Sequence, residues 1–306
     1  MTEAAAQQQS EQPLERSSSS VGRLLDLLVQ QRRSLAGAMF WIGVVVFFSF
    51  IFIGLAAPLI APYNPQSIFL TPPSQPPTLQ HLMGTDDLGR DIFSRVLWGT
   101  RSSLEIVAIG SVLALIVGFP VGLFSGYVGG WIDRGLVLVM DSVYAFPGLL
   151  LAAIVALFLG KGVFNIGIAI TVIYVPTYFR VTRNHTISVR EETFVEAARA
   201  LGANSMTILW SYIGYQVLIS IPVVFSLSAA DAILTAAGLG FLGLGLERPA
   251  PDWGLDLSDA QKFLSSGAWW SSVFPGVMII IFTVGLAFLG EGLSDIANPL
   301  LRKERA

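Results

Sequence analysis

An all-α membrane protein is the fold class this sequence predicts, and three observations predict it. Hydrophobic residues make up 53% of the 306 and charged residues only 13%, against roughly 25% charged in an ordinary soluble domain. The apolar residues gather into about six runs, each close to the ~20 residues a helix needs to cross a hydrocarbon core. Within those runs apolarity is continuous, without the period-two alternation of an outer-membrane strand, so helices and not a barrel are expected.

Taken in order, residues 1–36 read as a cytoplasmic tail. Gln, Glu and Ser dominate its first half, too polar to offset the entropy of ordering. Val21, Leu24, Leu25 and Leu28 then fall at i, i+3, i+4 and i+7, the spacing of a short helix on a membrane surface or of an approach to the first span. That span covers 37–61, and its core from 39 to 60 carries no charge. It is too long and too far from the N-terminus for a cleaved signal. Seven of the sixteen prolines lie from Pro58 to Pro77, so 62–103 is expected to be an extended extracytoplasmic segment, completed by the polar stretch 79–101. The remainder, 104–294, holds five spans near 104–125, 136–159, 163–181, 212–238 and 272–293. A loop at 183–211 separates the third of these from the fourth, and 295–306 form a second cytoplasmic tail.

Orientation follows from counting basic residues. With both termini inside, twelve Lys and Arg residues face the cytoplasm and six face outward, as the positive-inside rule requires. Trp98, Trp131, Trp210, Trp253, Trp269 and Trp270 all fall near expected span ends, where an aromatic belt would sit. Gly118, Gly122 and Gly126 recur at every fourth position and line one helical face, so that a neighbouring backbone can approach closely.

Several chemistries are excluded. A net charge of −3 provides no basic stripe for nucleic acid. The absence of cysteine removes disulfides, thiolate metal sites and thiol nucleophiles together. Gly238, Gly240 and Gly243 match a dinucleotide fingerprint in form but neither follow a strand nor open a soluble helix, and no phosphate loop occurs. No metal site, no catalytic residue and no cofactor bound by this chain are therefore expected. Asp86, Asp87 and Asp91 near His81 read as solvated turn and cap carboxylates interleaved with Arg90 and Arg95. Acidic residues in spans are costly and default to a polar path or a partner. Asp231, nearest mid-span, suits either a translocation path or a buried helix-to-helix hydrogen bond; Asp141 is the second candidate for the path, and Glu105, Glu291 and Asp295 lie near interfaces.

The loop 183–211 differs from the others. Glu191, Glu192, Glu196 and Arg199 among paired alanines favour a short helix, and Gly202 permits a turn after it. Phe194, Val195, Ala198 and Leu201 are expected to form its apolar side, suited to a groove on a partner. Glu196, Ala197, Ala198 and Gly202 resemble the EAAxxxG coupling motif of binding-protein-dependent ABC importer permeases. HLMGTDDLGRDIFSRVLWGTRSSL at 81–104, GYVGGWIDR and DSVYAFPGLLL within 126–151, and GFLGLGLERPAPDWG and AWWSSVFPG within 240–276 resemble the C-type permeases of the dipeptide, oligopeptide and nickel family.

The resemblance, covering about 37–302, implies a type I importer permease fold and a transport subunit rather than an enzyme. It implies a homologous second permease as partner, two ATPase subunits carrying ATP and Mg, an external substrate-binding protein and surrounding membrane lipid. Ile213, Gly214, Tyr215 and Gln216 depart from the family's proline-bearing exit after the coupling motif, with proline delayed to Pro222. Rival readings are an intramembrane enzyme, which would need a nucleophile and base or a metal pair on facing spans, and an ion-coupled transporter, which would need inverted repeats with broken helices.

Overall fold

A chain in hydrocarbon must close its backbone hydrogen bonds within each segment, and the regular elements described here are helices, beside one isolated bridge between Thr85 and Asp91. The structure is a computed structural model that describes residues 35–69 and 72–297. Contacts divide the chain into Met1–Ala38 and Met39–Ala306. Of the first unit only the opening turn of a helix is described, so the expectations for 1–34 and 298–306 lie outside the described residues.

Helix α1, Leu35–Ile60, carries no charge in 26 residues. Val45, Phe48, Phe52, Leu55 and Leu59 are exposed, whereas Phe50 and Ala57 are buried. Phe50 stacks on Phe282 with ring centroids 4.4 Å apart. The segment that follows is not simply extended. It folds back on itself, with Phe69 N–H donating to Leu88 O at 2.8 Å and Ser74 N–H to Asp86 O at 2.8 Å.

Helix α2, Ile92–Val128, has 37 residues and begins well before the expected 104. Asp91 caps it, accepting from Ser94 N at 2.8 Å. Its polar first turns disguised the helix in the sequence, yet Ser94, Arg95 and Thr100 are all buried. The next expected span, 136–159, is two helices, α3 (Gly130–Tyr144) and α4 (Gly148–Leu159), bent by 88°. Pro147, which has no N–H to continue a helix, sits at the bend.

Helix α5, Val163–Arg190, extends through residues expected in a loop and carries His185 within it. It packs along α2 through small residues. A Cβ on Gly118 would lie 2.7 Å from Tyr178 Cβ, one on Gly122 2.6 Å from Phe179 O, and one on Gly126 2.7 Å from Arg183 O. Glycine there lets two backbones meet, the geometry of small-residue membrane packing.

After α5 come α6 (Thr193–Ala200), a single turn α7 (Ser205–Thr207), a wide π turn (Ile208–Gly214) and α8 (Tyr215–Leu218). The span expected from 212 starts only at α9, Ile221–Phe241, because the chain breaks at Ile219 and Ser220. Pro222 in the first turn of α9 needs no intrahelical donor, which is why the delayed proline fits. Helix α10 (Trp253–Ala260), a tight turn (Gln261–Ser266) and α11 (Trp270–Ala297) complete the described chain. By length and apolarity α1, α2, α5, α9 and α11 each suffice to cross a membrane, and the bent pair of α3 and α4 is either a broken sixth span or a re-entrant loop.

Trp253 is no belt residue. It is 1% exposed, and its indole N–H donates to Val96 O at 3.1 Å. Gly99 leaves room for the ring, since a Cβ there would lie 2.6 Å from Trp253 Nε1. A main core joins Phe50, Ile106, Ile170, Tyr178, Ile233 and Phe282, and a second, smaller core joins Leu123, Val195, Ile208, Leu209, Ile213 and Val217.

Candidate functional site

Two sites emerge from this frame, a polar groove beside the α3–α4 bend and an outward-facing surface on α6. The bend opens the groove because a helix that stops at Tyr144 and restarts at Gly148 cannot cover the neighbouring helices there. Val143, Tyr144, Phe146, Leu149, Tyr174, Thr177, Asp231 and Thr235 line this open groove. Asp231 lies halfway along α9 and is exposed to this space. Tyr174 Oη donates to Asp231 Oδ2 at 2.7 Å and lies 3.3 Å from Thr235 Oγ1. The hydrogen bond between helices is present, but it is not a buried one, since the Asp231 side chain is exposed.

Asp141 stands one turn before Tyr144 on α3. It accepts from Arg180 Nη2 at 2.8 Å, with both side chains partly exposed, and the same guanidinium lies 4.1 Å from the centre of the Tyr144 ring. Asp141 therefore binds the rim of the groove to α5 rather than lining the space itself.

Helix α6 is closed at its end by a Schellman arrangement. Ala203 N–H donates to Ala198 O at 3.0 Å and Gly202 N–H to Arg199 O at 3.0 Å. Gly202 holds φ +81°, the left-handed region that disfavours a Cβ, although nothing lies within 4 Å of one. Asn204 starts the next turn by accepting from Thr207 N at 2.7 Å.

The expected apolar side of α6 is split. Val195 joins the smaller core and Ala198 is buried, whereas Phe194 and Leu201 are exposed beside Glu196, Ala197 and Arg199. Helical spacing explains the division. Val195 and Ala198 are three apart on one face, and Phe194, Ala197 and Leu201 lie on the adjoining face. The helix thereby has an anchoring face and a free apolar one, and it is packed onto the π turn rather than hanging clear of the bundle.

Sequence reasoning missed the buried charges. Arg183 on α5 grips Asp133 on α3, Nε to Oδ1 at 2.5 Å and Nη2 to Oδ2 at 2.6 Å, and Ser125 Oγ donates to the same carboxylate at 2.6 Å. Arg190 donates to Gly126 O and Tyr127 O, both at 3.1 Å, and so caps the end of α2.

At the other end of α2 the acidic cluster is buried, not solvated. His81 Nδ1 lies 2.9 Å from Asp91 Oδ1, and Arg90 Nε donates to Asp86 Oδ2 at 2.5 Å. Arg95, 2% exposed, pairs with Asp256 and also donates to Pro65 O and Pro249 O. Burial pushes the Asp256 carboxyl above its ordinary range despite Arg95. Burial, then the neighbouring Asp86 charge, raises Asp87. No local signal could have shown that Arg95 meets a residue so distant in sequence.

The fingerprint-like glycines close α9: Gly243 holds φ +78°, and a Cβ on Gly240 would lie 2.5 Å from Asp252 Oδ1. Among the described residues no group of three or more His, Asp or Glu side chains is placed to hold a metal ion.

Residues 118–303 match the family described as binding-protein-dependent transport system inner membrane component. A dipeptide transport system permease protein of Alkalihalophilus pseudofirmus is 40% identical over 264 residues, which is 85% of this chain and 86% of the relative. A glutathione transport system permease protein of Pectobacterium atrosepticum is 36% identical over 247 residues, 80% of this chain and 82% of the relative. The glutathione transport system permease protein of Escherichia coli O157:H7 is 36% identical over 274 residues, 89% and 88% respectively.

Proposed function

Because the chain belongs to the binding-protein-dependent transport system inner membrane components, as a non-enzymatic permease of an ABC importer in the dipeptide and oligopeptide group, we propose that it forms half of a translocation path for short peptides or peptide-like solutes. A homologous second permease supplies the other half, in a type I permease fold. Two ATPase subunits, carrying ATP and Mg, dock on the face of α6 that bears Phe194, Glu196, Ala197 and Leu201. An external binding protein delivers the solute at the end built from 61–91 and α10. Both termini are cytoplasmic, so α6 lies inside.

The observation that supports this reading most is the two-faced helix α6. Val195 and Ala198 fasten it to the bundle, while exposed Phe194 and Leu201 offer apolar area to a partner. An exposed apolar face of this kind marks an interaction surface. When a docked ATPase moves, α6 moves with it, and the shared core carries that displacement to Leu123 on α2 and to the π turn. The groove beside the α3–α4 bend then serves as the polar part of the path, with Asp231 in it and the Arg180–Asp141 pair at its rim.

The test is ATP-driven uptake of dialanine by the complete transporter in liposomes, together with ATPase stimulation by loaded binding protein. Gly202→Val and Glu196→Lys should both assemble and yet lose uptake and stimulation at least tenfold. Uptake at the original rate by both variants would remove α6 from the coupling role.

A further inference from the structure

We propose that the groove beside the α3–α4 bend is a subsite for a protonated amine, with Asp231 as the anionic partner. The inference rests on the permease reading above and adds the chemistry of the group that passes. Asp231 is the central residue of α9, a helix of 21 residues, at the depth where an ionised carboxylate is most costly. Among the described residues no Lys, Arg or His is paired with it, whereas Asp133 and Asp141 both hold arginines.

Tyr174 occupies only one of its oxygens, Oδ2, and Oδ1 accepts no hydrogen bond within the described chain. The unsatisfied oxygen belongs to a side chain exposed to the groove. Tyr144, Phe146 and Tyr174 stand among the walls, and aromatic faces attract a cation as they exclude water from it. Arg180, at the rim, is paired with Asp141 and stacked on Tyr144, so it does not fill the role of partner. A carboxylate with a free oxygen, a single hydroxyl donor and aromatic walls selects a compact cation that donates hydrogen bonds. A primary ammonium group fits that description, and the amino terminus of a peptide carries one.

The experiment uses the assembled transporter, with labelling read from the mass of this chain, whose lack of cysteine gives a clean background. Thr235→Cys places a thiol in the groove beside Asp231. Its reaction rates with trimethylammonioethyl and sulfonatoethyl methanethiosulfonate are each divided by the rate for a free thiol in solution. The cationic reagent should be favoured by roughly tenfold, as local potential enriches a counter-ion, and the preference should vanish when Asp231→Asn is added. Dialanine uptake should fall at least fivefold in Asp231→Asn and recover at least half its rate in Asp231→Glu. Equal normalised rates in the single variant, or undiminished uptake by Asp231→Asn, would overturn the proposal. A cationic preference in Thr235→Cys, with no dialanine import by the wild-type complex, would uphold the subsite and overturn only the assignment of peptide-like solutes.

Discussion

A Cβ on Gly122 would sit 2.6 Å from the Phe179 carbonyl oxygen, a backbone atom that cannot rotate aside. Gly122→Val should therefore force α2 and α5 apart and cost about 1–3 kcal/mol, the usual penalty of overpacking. Gly135→Ala, with nothing within 4 Å, should leave stability unchanged or raise it by up to about 1 kcal/mol. Thermal unfolding in detergent compares the two directly. The four-residue glycine spacing was legible because it is local to one helix. The Arg95–Asp256 pair was not, since its partners come from opposite halves of the chain and each alone resembles a surface charge. Asp256→Ala leaves the buried Arg95 guanidinium with only Asp86, 3.8 Å away, as an acidic partner and should cost about 3–5 kcal/mol, whereas adding Arg95→Met should restore much of that loss. A double mutant no more stable than Asp256→Ala would show that the pair does not act as a unit.

At the scale of elements, continuous apolarity made the spans legible and left their ends obscure. Helix α2 starts at Ile92 because Arg95 and Thr100 find partners in the fold, information that composition does not hold. The α3–α4 bend hid inside an apolar run, with Pro147 the single clue. Of the candidate site, the short helix and the turn at Gly202 could be read from charge and glycine placement. The division of its apolar residues between two faces could not, since it depends on the π turn and Leu123 packing beneath. Orientation is open to direct measurement, because Ser265 and Ser188 are exposed on different elements. Cysteine at Ser265 should react with an impermeant maleimide added outside intact cells, and cysteine at Ser188 only after permeabilisation. The reverse pattern would place α6 outside and defeat the coupling proposal.

For the molecule as a whole, no phosphate loop occurs in the sequence, and the glycines that mimic a dinucleotide fingerprint end a membrane helix instead. The purified chain should therefore show no saturable ATP binding in equilibrium dialysis, and nucleotide should bind only once the ATPase subunits are present. Saturable binding by the chain alone would refute this.

Helix α2 is also a measure of reach. At ~1.5 Å per residue its 37 residues extend about 55 Å, well beyond a hydrocarbon core of about 30 Å. Its first turn is held by Asp91 and Arg95, and its far end carries Leu123, which shares the smaller core with Val195 of α6. Such a rod is like the beam of a balance, pivoted near its middle where Gly110 lies against Ile170 of α5. A tilt of only about 3° about the midpoint would shift each tip by roughly 1.5 Å in opposite senses. Pro120, in the last third of the rod, gives such a beam a weak point near its C-terminal tip, where some of that travel can be absorbed before it reaches α6.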